Sequence, residues 1–427
     1  MARKIASFLA CLLAFSLLLA AHKHDKDAVF GQINAIVHSL STISGLAEEH
    51  PVPYGTISKR QLRHFLSKRI KKTLNADEIQ ADELALKLFG LVPADFDLRK
   101  STVDLLTEQA AAFYDYDEKK LFLLQGAPLD EQMTTLAHEL AHALADQHFD
   151  LGHYMDESPS NDDENLAHTA VVEGQASWLM IAYNLSAEGK PPEPTPEMLR
   201  SVEDSDDSSG TDYPVLKASP LYIQQSLLFP YSEGTRFFDA AYKHMGRTAF
   251  SAVFMDAPVC SGQVMHPERY FAHEKPAIPE LPKLNVGTGE KEVTEGTLGE
   301  FDERMMLWQY VGRPEADQLA PHLRGGQFRV TSEPKGVQPV LEYISEWDST
   351  KSAADYFAAY KKILRRKWRR CDPSIDTDTV FAGTGDRGYF VTHLKGNMLT
   401  SVEGLAEAAV WARLRAVLNV TETPKLT

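Results

Sequence analysis

The chain has 427 residues, of which 43% are hydrophobic and 24% charged. That composition supports a large buried core and excludes a wholly disordered chain. A formal charge of -16 disfavours partners that present phosphate backbones or anionic lipid faces, so nucleic acid is not an expected partner.

Met1 to Lys4 is a short basic start, and Ile5 to Ala21 is an almost unbroken apolar run ending in small residues ahead of HKHDKD. This is the layout of a secretory signal peptide over 1–21, which implies a periplasmic or secreted protein with no stable membrane association after cleavage. The alternative is an uncleaved anchor, for which the run is near the lower length limit of a spanning helix. Cleavage leaves Cys260 and Cys371, which either pair or stay as separate thiols.

Residues 22–110 read as an N-terminal helical region, amphipathic from residue 29. It includes the basic stretch KRQLRHFLSKRIKK at 59–72, taken as a solvated helix face with membrane or partner binding as the alternative, and a Pro-containing turn at LVPADFD. From 111 the pattern changes. AAFYDYDEKKLFLL predicts two short strands around the polar turn Asp115 to Lys119, followed by a helix starting near Asp130. A second helical stretch covers 164–185, after the acidic connection MDESPSNDDEN, which reads as a solvated loop with a helix N-cap. PPEPTPEM at 191–198 and SVEDSDDSSGTDYP at 201–214 form a Pro-rich, acidic insertion. Residues 326–420 alternate strand-like runs (GQFRVTS, VQPVLEYI, GYFVTHL) with two expected helices, 350–370 and 402–418. The expected architecture is α+β: a mostly helical domain with a small sheet over 111–290, and a C-terminal α+β lobe over 291–427.

The chemistry is concentrated in HELAHALADQH, His138 to His148. Residues four apart on a helix lie about 40° from each other around the axis, so His138 and His142 place two imidazoles where one metal ion can bridge them. Glu139, about 100° from His138, reaches a bound water without being a ligand. The set suits a zinc hydrolase in which Zn2+ acidifies water and the glutamate takes the proton. The competing reading is a pair of histidines satisfied by core hydrogen bonds.

His148 would complete the metzincin spacing HExxHxxGxxH, but on a continuous helix it points about 280° away from His138 and lies about 9 Å beyond His142. The turn that would bring it back needs glycine, and the position is Ala145. The favoured third ligand is Glu173, a carboxylate in the apolar setting AVVEGQA that needs a partner if it is buried. A structural pairing with arginine is its alternative. Gly174 and Ala176 leave room for a close helix approach. Tyr231 in FPYSEG and His266 or Tyr270 in MHPERY are candidates to donate to a developing oxyanion, and Arg236 could hold a carboxylate.

HExxH followed by a glutamate on a later helix resembles the gluzincin zinc metallopeptidases. More narrowly, FYDYDEKKLFLL, HELAHALADQHFDL, AVVEGQAS, FPYSEGTRFF, MHPERYF and TLGEFDERMM, in that order, resemble a bacterial family of gluzincin-like exported peptidases. The resemblance covers about residues 88 to 365. It implies a zincin-like catalytic domain with His138, His142 and Glu173 as metal ligands, Glu139 as general base, and Lys120 to Leu124 as an edge strand that pairs with extended peptide. Two departures stand out. Thermolysin-like enzymes carry an aspartate one turn after the glutamate ligand, where this chain has Ser177, so Asp146 or Asp150 would have to orient a histidine instead. The downstream histidine that stabilises the oxyanion has no motif match.

The sequence reading is therefore an exported zinc metalloendopeptidase acting on peptide or protein substrates. A metzincin-like or aminopeptidase-like hydrolase is one alternative, and a non-catalytic envelope binding protein on a peptidase scaffold is another.

Overall fold

The computed structural model describes residues 31–73, 76–126, 129–156, 161–200, 213–282, 291–332 and 338–405. The segment read as a signal peptide and the acidic stretch 201–212 lie outside them. No helix among the described residues is long and apolar enough to cross a membrane.

The amino-terminal region folds as helices α1 (Ile33–Ser44), α2 (Lys59–Thr73), α3 (Ala76–Phe89) and α4 (Leu98–Gln109). The LVPADFD turn ends in Asp97, whose carboxylate accepts the Lys100 N–H and starts α4. One stretch expected to be helical is not: Tyr54–Ile57 is a strand, β1. Pro51 and Pro53 keep the chain extended ahead of it, and Thr56 and Ile57 are β-branched, so local preference runs against helix.

The anticipated hairpin is present as β2 (Ala112–Asp115) and β3 (Lys120–Leu124). Its turn is held by the buried Asp115 carboxylate, which accepts the Asp117 and Glu118 N–H groups and both of whose oxygens lie 2.7 Å from Arg69 Nη2 of α2. The sheet order is β1-β3-β2, with β1 parallel to β3. Lys120 to Leu124, expected at an edge, is therefore the central strand. The addition of β1 on its outer side corrects that expectation, and β2 becomes the edge beside the motif helix.

That helix, α5, runs unbroken from Leu129 to Phe149. The next long helix, α6 (Asp162–Ala187), is buried around most of its circumference, as suits a helix that is apolar on every side. Asn161 caps it by accepting the Asp163 and Glu164 N–H groups. Helix α7 (Leu221–Met245) crosses α6 where two glycines meet: a Cβ on Gly174 would lie 2.2 Å from the Gly234 carbonyl carbon, and one on Gly234 would lie 2.3 Å from Ala170 O. Short helices follow, among them α8 (Ser261–Met265) and α9 (Pro267–Phe271).

The C-terminal part is a seven-stranded antiparallel sheet of order β4-β5-β6-β10-β9-β8-β7. Its strands are β4 (Lys291–Leu298), β5 (Leu323–Ser332), β6 (Val340–Trp347), β7 (Cys371–Asp376), β8 (Val380–Gly385), β9 (Gly388–Lys395) and β10 (Met398–Leu405). Helices α10 (Glu300–Tyr310) and α11 (Thr350–Lys367) pack against it. Residues 402–405, expected to open a helix, instead end β10 between β6 and β9. The β-branched Thr400 and Val402 fit a strand better than a helix, and the rest of the expected helix lies outside the described residues. The fold is α+β, and one connected core of buried side chains reaches from Ile33 in α1 to Leu399 in β10. Cys260 and Cys371 are both free thiols.

Candidate metal centre

Helix α5 brings His138 and His142 together at the four-residue spacing, with ring centroids 4.6 Å apart and planes at 87°. Helix α6 delivers Glu173 to the same point. His138 Nε2 lies 3.0 Å from Glu173 Oε2, His142 Nε2 lies 3.4 Å from it, and the two Nε2 atoms are 2.9 Å apart. Among the described residues this is the one group of three or more histidine, cysteine and acidic side chains whose donor atoms converge closely enough for a single ion. Ligands about 2.0–2.1 Å from a tetrahedral ion lie about 3.3 Å apart, close to the spacing seen here. A second observation supports the fit: Glu173 Oε1 is buried with no hydrogen-bond partner among the described residues.

The electrostatics favour the same chemistry. Burial pushes His142 down to about 3, against the attraction of Asp146 one turn away. Burial and the neighbouring His142 also hold His138 low, so both imidazoles are neutral, as ligation requires. Burial raises Glu173 to about 6, opposed by His138 and by a hydrogen bond from the Tyr231 side chain. A cation among these groups would offset the cost of that buried charge.

Glu139 is brought beside the three but makes its own contact. Its Oε2 accepts the backbone N–H of Tyr114 at 2.7 Å, while burial and then the charge of Glu173 hold its pKa well above the usual carboxylate range. Strand β2 supplies that N–H for a reason of register. Leu124 N–H donates to Ala111 O, and Ala112 stands opposite Leu123. Residues 111, 113 and 115 therefore turn their backbone groups toward β3, and 112 and 114 turn theirs the other way. Tyr114 spends its outward N–H on Glu139, and Ala112 presents N–H and C=O along the same edge.

Of the remaining candidates, Tyr231 joins the site: it is buried, and its ring centroid is 5.9 Å from that of His138. The Gly174–Gly234 crossing accounts for this, since it sets α7 against α6 next to Glu173 and three residues after Tyr231. His266 does not join. Its Nε2 is 2.7 Å from Glu300 Oε1, in a cluster with Arg269 near the start of α6. Asp163, which accepts the Ser261 N–H there, precedes Glu173 by ten residues, about 15 Å of helix. The correction is physical: Glu300 is a stronger attraction for that imidazole than a distant cleft. Tyr270 donates to Asp256 O, and Arg236 pairs with Glu233 at 3.0 Å. His148 points away from the centre, with Nε2 2.7 Å from Ala47 O.

The residue missed by sequence reasoning is Tyr114. Besides holding Glu139 it donates its hydroxyl to Asp146 Oδ2 at 2.9 Å. A backbone N–H leaves no residue-type signal, and FYDYD announces only a strand. No protein-family model, curated protein or solved structure matches the chain.

Proposed function

We propose that the protein is a zinc-dependent endopeptidase of gluzincin type with a zincin-like catalytic domain, exported through its amino-terminal segment. The observation that carries the reading is the convergence of His138, His142 and Glu173 with Glu139 alongside. Zinc held there would supply Lewis-acid chemistry, acidifying water and polarising a peptide carbonyl.

The chain's own residues perform the rest. Glu139, fixed at one oxygen by Tyr114, accepts the proton of the attacking water and passes it to the leaving amine. Tyr231, whose hydroxyl donates to Glu173 in this structure, turns that donor to the oxyanion that forms on the carbonyl. Strand β2, whose Ala112 N–H and C=O point outward, takes the role expected of Lys120 to Leu124; Ala112 is buried, so an extended peptide pairs with it only by displacing what covers that edge.

The test compares three variants for zinc content and for hydrolysis of casein-like substrates. Glu139→Ala should keep zinc and lose at least a hundredfold in kcat. Glu173→Ala should lose zinc, and His148→Ala should keep it. Zinc retained in Glu173→Ala but lost in His148→Ala would overturn the ligand set. One observation favours a second reading: the four centre residues are each at most 2% exposed, as in a closed structural metal site on a non-catalytic binding protein. Zinc binding with no hydrolysis by the unsubstituted protein over a broad substrate panel would establish that reading instead.

A further inference from the structure

We infer that Tyr114 is a positioning residue that holds strand β2 and the proton-accepting carboxylate of Glu139 in one register. The inference rests on the peptidase reading above. Glu139 and Asp146 are seven residues apart on α5, two turns, and so face the same side. Tyr114 bonds both, through its backbone N–H to Glu139 Oε2 at 2.7 Å and through its hydroxyl to Asp146 Oδ2 at 2.9 Å.

Asp146 is itself fixed. It is 5% exposed, and its Oδ1 accepts both Lys119 Nζ at 2.8 Å and the Leu151 N–H at 2.8 Å. Lys119 belongs to the β2–β3 turn, adopts a left-handed φ of 50°, and also reaches Asp150 at 2.9 Å. The hairpin is thus laced to α5 at Glu139 and Asp146, and to Asp150 just past its end. The aromatic packing continues the link, with Tyr116 edge-on to Tyr114 and, at 6.1 Å, to His142.

The consequence concerns shear. If β2 slid along α5, the N–H bond to Glu139 and the spacing between the Ala112 edge and the centre would change together. The hydroxyl bond to a buried, twice-anchored carboxylate opposes that slide. A displacement of about 1 Å at a reacting group is enough to cost on the order of a hundredfold in rate.

Tyr114→Phe and Asp146→Asn test this, each measured for kcat, KM, zinc content and hydrogen exchange of the residue 114 amide. The expected result for both is a five- to tenfold fall in kcat per bound zinc at unchanged KM. Exchange at residue 114 should accelerate at least tenfold, and the double variant should be no worse than either single one. A purely structural role would lower the melting temperature and leave kcat per bound zinc alone. Unchanged exchange at residue 114 in both variants overturns the inference, as does faster exchange with unaltered kcat. If the unsubstituted protein hydrolyses nothing, the peptidase reading fails, and the positioning of a catalytic base fails with it. Exchange at residue 114 then still decides whether the hydroxyl couples strand to helix.

Discussion

Tyr231 and His266 entered the sequence reading as equals, and their surroundings separate them. Tyr231→Phe removes a hydroxyl that donates to Glu173 while leaving all three candidate ligands, so kcat per bound zinc should fall ten- to a thousandfold. His266→Ala should leave hydrolysis untouched, because its imidazole is engaged by Glu300 near the start of α6. Steady-state kinetics on the two purified variants checks both, and a kcat for Tyr231→Phe equal to that of the parent would reduce the tyrosine to packing against His138. At this scale the convergence of His138, His142 and Glu173 was legible because it follows from helical arithmetic and from the cost of burying Glu173 among apolar neighbours. The choice between Tyr231 and His266 was not, since both motifs offer donors of similar chemistry and only tertiary position distinguishes them. Tyr114 was illegible for a different reason: the group it offers Glu139 belongs to every residue except proline.

Between elements, the crossing of α6 and α7 is the contact most sensitive to a single methyl group. In Gly174→Ala the new Cβ would meet Gly234 backbone at 2.2 Å, where no side chain can yield, so the helices must part. Overpacking of this kind costs about 1–3 kcal/mol or more. The melting temperature should fall by several degrees, and zinc affinity should weaken as Glu173 shifts from the histidine pair. Calorimetry beside metal titration checks this, and full zinc affinity at a lowered melting temperature would uncouple the crossing from the centre. The small residues at 174 and 176 announced a close approach, but not which helix would approach. Strand order was likewise hidden. β1 pairs with β3 across more than sixty residues of sequence, and no local pattern states that Lys120 to Leu124 is flanked on both sides. In β10, the β-branched Thr400 and Val402 were outweighed by an apolar helical pattern that continued past them.

At the level of the whole molecule, buried carboxyls set the pH response. Glu303 on α10 accepts from the Tyr343 and Tyr356 hydroxyls, and burial raises it to about 7, above its unfolded value of about 4.3. A group whose folded pKa is raised contributes stability that is fully present below the unfolded pKa and is lost as pH rises through the folded one. Between pH 5 and 8 the protein should therefore lose stability relative to Glu303→Gln, by a few kcal/mol at most. Denaturant titration of both proteins at the two pH values checks the sign, and parallel pH profiles would show that Glu303 does not titrate in this window. Glu303 lies outside the motif, and composition did not reveal it. Near one end, α6 is tied to the C-terminal sheet through the Asn161–Thr297 hydrogen bond and to helix α8 through the Asp163–Ser261 bond. Near its middle it carries Glu173 and the glycine crossing. It behaves as a beam that is clamped near one end and loaded at midspan. A force that tipped the C-terminal sheet would reach the Glu173 carboxylate as a rotation about the crossing, so the His138–His142–Glu173 cluster would register strain that originates outside the helices that carry it.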